Sequence, residues 1–192
     1  MILRIALVID YGNLMKQAFV IFDRDGTLID HVPHLVDPEL VQIKDDLGKA
    51  LQLLQNCDFK FGIISNQSVI GRGLATNLEI ESVNSKIMEF LKPLGIVIDF
   101  VYFCPHLPDD GCSCRKPEIG LGQSAIEEHH LDPSISFMVG DQECDMLFGR
   151  NLGCKTIQLQ GSADKSAFAD YYSETLEGAA RWIMAEKDRK GS

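Results

Sequence analysis

The chain has 192 residues, 45% of them hydrophobic and 24% charged, and a formal net charge of −10. That length suits one domain with a real hydrophobic core, and the composition is ordinary for a globular protein. The negative balance disfavours nucleic acid as a partner, and no apolar run approaches the roughly 20 residues of a membrane span.

The first segment, MILRIALVIDYGNLMKQ, contains the apolar stretch RIALVI (4–9), which has the composition of a strand. Only Arg4 stands ahead of most of it, and Asp10 follows with no small-residue cleavage site, so it does not read as a signal peptide. Met15 opens MKQAFVIFDRDGT, itself a natural start, so residues 1–14 read as an upstream extension without a functional role. Further strand-length apolar runs follow: AFVIF (18–22), FKFGII (59–64), IDFVYF (98–103), SISFMV (134–139) and KTIQL (155–159). Helical spacing appears between and after them, at Leu47, Leu51 and Leu54, at Val83, Ile87 and Phe90, and at Leu176, Ala180 and Ile183. Thr76 is placed to cap the second of these helices, with Gly95 just past its end.

Strands that alternate with helices and are continuously apolar predict an α/β fold, a parallel sheet covered by helices on both faces. No linker or repeat divides the chain, so residues 1–192 read as a single domain. The irregular segments 23–40, 65–75 and 104–119 each follow the C-terminal end of an expected strand, where open α/β sheets bind ligands.

Six cysteines stand at Cys57, Cys104, Cys112, Cys114, Cys144 and Cys154. Three fall within a single short loop and the others are isolated, which is no disulfide framework and points to a reducing, cytoplasmic setting. Cys144 and Cys154 read as packing residues. Cys104-x-His106 and Cys112-x-Cys114 supply three thiolates and an imidazole across a short turn, the ligand set of a closed tetrahedral zinc site over 104–114. Unrelated buried cysteines and a Cys112–Cys114 disulfide are the rival readings, and a reducing compartment disfavours the second. With four protein ligands no coordination position stays open, so this zinc would be structural, and a zinc hydrolase is disfavoured.

The run FVIF ends in Asp23-Arg24-Asp25-Gly26-Thr27. A polar turn is the plain reading. A calcium loop fails, because it needs glycine sixth and Gly26 is already fourth. The chemical reading makes Asp23 a carboxylate nucleophile for a phosphoryl group and Asp25 the acid and base beside it. Ser65-Asn66-Gln67-Ser68 ends the next strand, where a hydroxyl and backbone amides can hold a phosphate oxygen, and Arg72 follows between two glycines. Arg115 and Lys116 come directly after the last cysteine, as cations fixed for phosphate on a loop that a metal would make rigid. Gly140-Asp141 ends a further strand, and Asp145 lies on the same face of a helix start, where carboxylates suit the helix dipole. Asp141 would complete an oxygen site for Mg²⁺ with Asp23 and a carbonyl of Asp25.

Together, DRDGT, SNQS, CPH…CSCRKP and VGDQECDM resemble the haloacid dehalogenase superfamily of phosphatases over about residues 15–187. The cysteine loop narrows the resemblance to the branch of heptose-bisphosphate and histidinol-phosphate phosphatases. The resemblance implies a Rossmann-like parallel sheet without a large cap domain. It also implies Mg²⁺-dependent hydrolysis of a small phosphorylated substrate, heptose 1,7-bisphosphate ahead of histidinol phosphate, through an aspartyl-phosphate. Asp23 matches the nucleophile and a Mg²⁺ ligand, and Asp25 the acid/base and a carbonyl ligand. Ser65 and Lys116 match the groups that steady the phosphoryl group, and Asp141 the remaining Mg²⁺ carboxylate. Asn66 stands beside Ser65, and Arg115 matches the substrate-recognition arginine. Gln67 and Ser68 complete the substrate loop, and His31 and His34 align with a loop that meets the leaving group. Cys104, His106, Cys112 and Cys114 match zinc ligands. Members of this type are often monomers. Val69 and Gln142 depart from the usual heptose pattern of a glycine and a lysine. A catalytically silent, zinc-stabilised binding module is the alternative of another class; the presence of Asp23, Asp25, Lys116 and Asp141 together argues against it.

Overall fold

The computed structural model describes residues 16–161 and 164–191, so the expected strand at 4–9 and the extension 1–14 lie outside the described residues. Six strands, β1 (Phe19–Phe22), β2 (Lys60–Asn66), β3 (Phe100–Cys104), β4 (Phe137–Gly140), β5 (Lys155–Leu159) and β6 (Tyr171–Ser173), form one sheet in the order β3-β2-β1-β4-β5-β6. Every pairing is parallel. The helices are α1 (Leu47–Gln55), the single turn α2 (Ser68–Gly71), α3 (Asn77–Leu91), α4 (Gly120–His129), α5 (Glu143–Leu152) and α6 (Leu176–Gly191). Among the described residues, the segments after β1 and β2 hold only a 3-10 turn, Pro38–Leu40, and α2 before the next long helix begins.

The continuous apolar runs have a direct cause: alternate side chains of one strand fill two separate cores. Val20 and Phe22 of β1 pack with Leu51 of α1, Ile87 of α3 and Ile183 of α6 on one face. Phe19 and Ile21 pack with Ala125 of α4 and Phe148 of α5 on the other. All four residues of β1 are at most 1% exposed, and burying each such side chain contributes roughly 1.5–3 kcal/mol.

Thr76 does cap α3, and with Glu79 it forms a reciprocal capping box. Gly95 adopts the left-handed conformation (φ 69°) after the 3-10 turn that follows α3. Two expectations need correction. Phe90 is 39% exposed, and Leu91 takes its place in the core. The run 134–139 does not start as a strand, because Asp132 caps a 3-10 turn at Pro133–Ile135 and β4 begins only at Phe137.

The order of the strands sets the position of the site. From β1 the chain moves outward through β2 to β3, then returns to lay β4 on the other side of β1. The β1–β4 junction is therefore a topological switch point, where the connections leave in opposite directions and open a crevice at the strand ends. Asp23 follows β1 and Asp141 follows β4 at that crevice, and the Asp23 N–H donates to the Val139 carbonyl at 2.9 Å.

Candidate active site

Three carboxylates meet at the switch point. Asp23, Asp141 and Asp145 each offer an oxygen within 4.8 Å of the others, and all three residues are buried. Lys116 reaches in from the segment between β3 and α4. Its ammonium lies 2.6 Å from Asp23 Oδ1 and 2.7 Å from Asp145 Oδ1, and it donates to the Ile64 carbonyl at 2.6 Å. Burial alone would lower the Lys116 pKa, but the Asp145 and Asp23 carboxylates outweigh it and hold the group above the usual lysine range. Burial is also the largest influence on Asp23 and drives its carboxyl up to about 8; Lys116 opposes this, and Asp145 and Asp25 add to the rise. Burial raises Asp141 as well.

With all three carboxyls ionised against one ammonium the cluster would stand at −2, a charge that one divalent cation balances. Asp141 Oδ1 is buried without a hydrogen-bond partner, although native proteins rarely leave such an atom unsatisfied. The donor set, all oxygen, suits a hard cation such as Mg²⁺. These residues therefore fit a divalent-ion site.

Asp25 is held apart from this cluster by a different partner. Arg24, 1% exposed, donates through Nε to Asp25 Oδ2 at 3.0 Å and through a terminal nitrogen to Oδ1 at 3.1 Å. Its other terminal nitrogen donates to Asn84 Oδ1 on α3 at 3.0 Å. Gln67 Nε2 donates to Asp25 Oδ2 at 2.8 Å and to Ser65 Oγ at 3.2 Å. Gly26 makes the turn after Asp25 with φ +83°, and a Cβ there would sit 2.6 Å from Asp141 Oδ2. Only glycine allows both that conformation and that approach.

The four residues expected to hold zinc do converge. Cys104, His106, Cys112 and Cys114 present ligand atoms within 4.8 Å of one another. Cys114 Sγ lies 3.2 Å from both Cys104 Sγ and His106 Nδ1, and Cys104 Sγ lies 3.7 Å from Cys112 Sγ. Ligands around a tetrahedral zinc stand about 3.5–3.8 Å apart. None of the cysteines is in a disulfide.

A cleft of about 660 Å³ opens above the carboxylates. His31, His34, Asn66, Gln67, Ser68, Arg115 and Lys116 all line it. Asn66 is committed to the protein: its Oδ1 accepts from the Lys116 N–H and its Nδ2 donates to the Lys116 carbonyl, both at 3.0 Å. Ser65 is buried, with its hydroxyl engaged by Gln67. Arg72 does not line the cleft. Sequence reasoning passed over the role of Asp145, whose spacing from Asp141 was visible but which was read as serving the helix dipole. It also missed the Arg24–Asn84 pair, for which no local signal exists, and it assigned Cys144 to packing, whereas this residue lines the cleft.

A HAD-hydrolase-like family model matches residues 113–176. A probable D-glycero-D-manno-heptose-1,7-bisphosphate 7-phosphatase of Thermoplasma volcanium is 40% identical over 139 residues, 72% of this chain and 94% of that protein. The histidine biosynthesis bifunctional protein HisB of Campylobacter jejuni is 32% identical over 147 residues, 75% of this chain but only 42% of that protein. The crystal structure of D,D-heptose 1,7-bisphosphate phosphatase from B. bronchiseptica, complexed with magnesium and phosphate, is 25% identical. It superposes with a TM-score of 0.77 over 88% of this chain and 99% of that one. Relatives and site agree: the chain belongs to the haloacid dehalogenase (HAD)-like hydrolases, among their phosphatases of phosphoric monoesters.

Proposed function

We propose that the protein is a Mg²⁺-dependent phosphatase that cleaves D-glycero-D-manno-heptose 1,7-bisphosphate through an aspartyl-phosphate on Asp23. One observation carries the reading: a buried carboxylate, Asp23, sits at the floor of the cleft with Lys116 at 2.6 Å and the unpartnered Asp141 oxygen among its neighbours. The names of the Thermoplasma volcanium and B. bronchiseptica relatives support the substrate. Asp23, the Asp25 carbonyl and Asp141 would hold the ion, which supplies positive charge to the phosphoryl oxygens. Cys104, His106, Cys112 and Cys114 would hold a structural zinc.

An oxygen of Asp23 attacks phosphorus as the bond from phosphorus to the sugar oxygen breaks, and Asp25 gives its proton to that leaving oxygen. Asp25 then takes a proton from water, the water oxygen bonds to phosphorus, and the Asp23–phosphorus bond breaks. Lys116 balances the charge of Asp23 and of the transferred group throughout. Arg115, which also lines the cleft, is the cation available to the rest of the substrate. The HisB relative favours a second reading, histidinol phosphate as substrate.

Phosphate release with Mg²⁺ tests both, comparing the heptose bisphosphate, histidinol phosphate and an aryl phosphate. A kcat/KM at least tenfold higher for the heptose bisphosphate is expected. Equal slow turnover of all three would retire the substrate, and hydrolysis by a clean Asp23→Asn sample would retire the mechanism.

A further inference from the structure

We propose that Gln142 is a positioning residue for the divalent ion: its amide pins one oxygen of Asp141 and thereby presents the other to the cation. This inference rests on the magnesium reading above and adds to it a residue at the cleft wall that acts on the ion through Asp141.

Gln142 Nε2 donates to Asp141 Oδ2 at 2.7 Å. Gly26 packs against that same oxygen, so closely that a Cβ would come within 2.6 Å. Oδ2 is thus walled on one side and bonded on the other, while Oδ1 is buried with no partner at all. A carboxylate freely turning about its last bond would not keep its two oxygens so unequal. A buried unsatisfied acceptor costs about 1–3 kcal/mol, and more when charged. The asymmetry is explained if a ligand takes Oδ1.

Gln142 is itself anchored. Its N–H donates to Asp145 Oδ2 at 3.1 Å and its carbonyl accepts from the Asp145 N–H at 3.1 Å, in the first turn of α5. The other oxygen of Asp145 holds Lys116. One rigid chain, Lys116–Asp145–Gln142–Asp141, therefore places the cationic and the anionic sides of the site together. Gln142 is the N-cap of α5, paired with Asp145 in a capping box, and its side-chain NH₂ is turned toward Asp141. Being neutral, the amide donates a hydrogen bond without adding a positive charge that would repel the ion.

Gln142→Ser separates this role from helix capping, since serine caps well but does not reach Asp141. Gln142→Met is the second variant, of similar length but with no donor. Mg²⁺ affinity is read by calorimetric titration with MgCl₂, and thermal midpoints are read in magnesium-free buffer. The expected result is Mg²⁺ binding about 10–100-fold weaker in both variants, the usual effect of losing a group that orients a metal ligand. The Gln142→Ser midpoint should stay close to that of the native chain, since serine keeps the cap. Native-like Mg²⁺ affinity in either folded variant overturns the inference and leaves the phosphatase reading standing. A native chain that binds no Mg²⁺ overturns both.

Discussion

Arg24 is the largest side chain among those fully buried, and replacing it tests how the site is braced. In Arg24→Met the apolar stem is kept and the guanidinium is lost. Asn84 Oδ1, in a residue 6% exposed, loses its donor, and an orphaned buried acceptor costs about 1–3 kcal/mol. Asp25 loses a two-pronged ion pair, but its side chain is 21% exposed, so water replaces much of that interaction. For this part the figure of about 3–5 kcal/mol for a fully buried pair falls to about 1 kcal/mol. The expected loss is about 3 kcal/mol, or roughly 6–12 °C in Tm for a chain of this size. Urea denaturation measures it, with the m-value checked for constancy. Asn84→Leu removes the stranded acceptor, so the double variant should recover about 1–2 kcal/mol relative to additivity. A loss under 1 kcal/mol, or strict additivity in the cycle, would refute the bracing role of the Arg24–Asn84 contact.

Two other perturbations have defined signs. The Asp23 carboxyl is pushed up to about 8 from an ordinary 3.8, chiefly by burial, so the folded state holds this proton more tightly than the unfolded chain. Its stabilising effect is fully present below pH 3.8 and disappears as pH rises through 8. Asn mimics the protonated form, so in magnesium-free buffer Asp23→Asn should match the native chain near pH 4 and exceed its stability increasingly toward pH 8. A pH-independent difference would contradict the charge crowding at the site. Cys112→Ser should lower the zinc content measured by mass spectrometry and depress Tm before it lowers kcat at moderate temperature; unchanged stoichiometry would refute the four-ligand site.

What could be read in advance depended on how local each signal was. The cysteine–histidine cluster was legible because its four residues fall within one short stretch and their spacing is itself the signal. Five strands were legible because burial on both faces removes polar residues from them. β6 was not, being three residues with two half-buried tyrosines, and α4 was not, because its buried face is Gly122 and Ala125, too small to mark a hydrophobic period. Phe90 and Leu91 are neighbours of equal hydrophobic appeal, and only the docked helix decides which points inward. The Asp23, Lys116 and Asp141 positions were found from motif order, whereas Arg24–Asn84 joins residues far apart in the chain and exists only once α3 has packed beside β1.

Asn66 at the end of β2 deserves a last consequence. Its side-chain amide offers Lys116 a carbonyl oxygen and an N–H together, the same pair that a neighbouring peptide group offers inside a sheet. β2 has run out of strand partner at Cys104, and the amide acts as one further rung, laid sideways from a side chain. Lys116 is thereby indexed to the sheet rather than to its own loop. Isosteric Asp at that position would keep the shape yet have only acceptors to show the Lys116 carbonyl, turning a rung into a repulsion. A one-atom change, amide nitrogen to oxygen, would then loosen the cation from the frame while every helix and strand stayed in place.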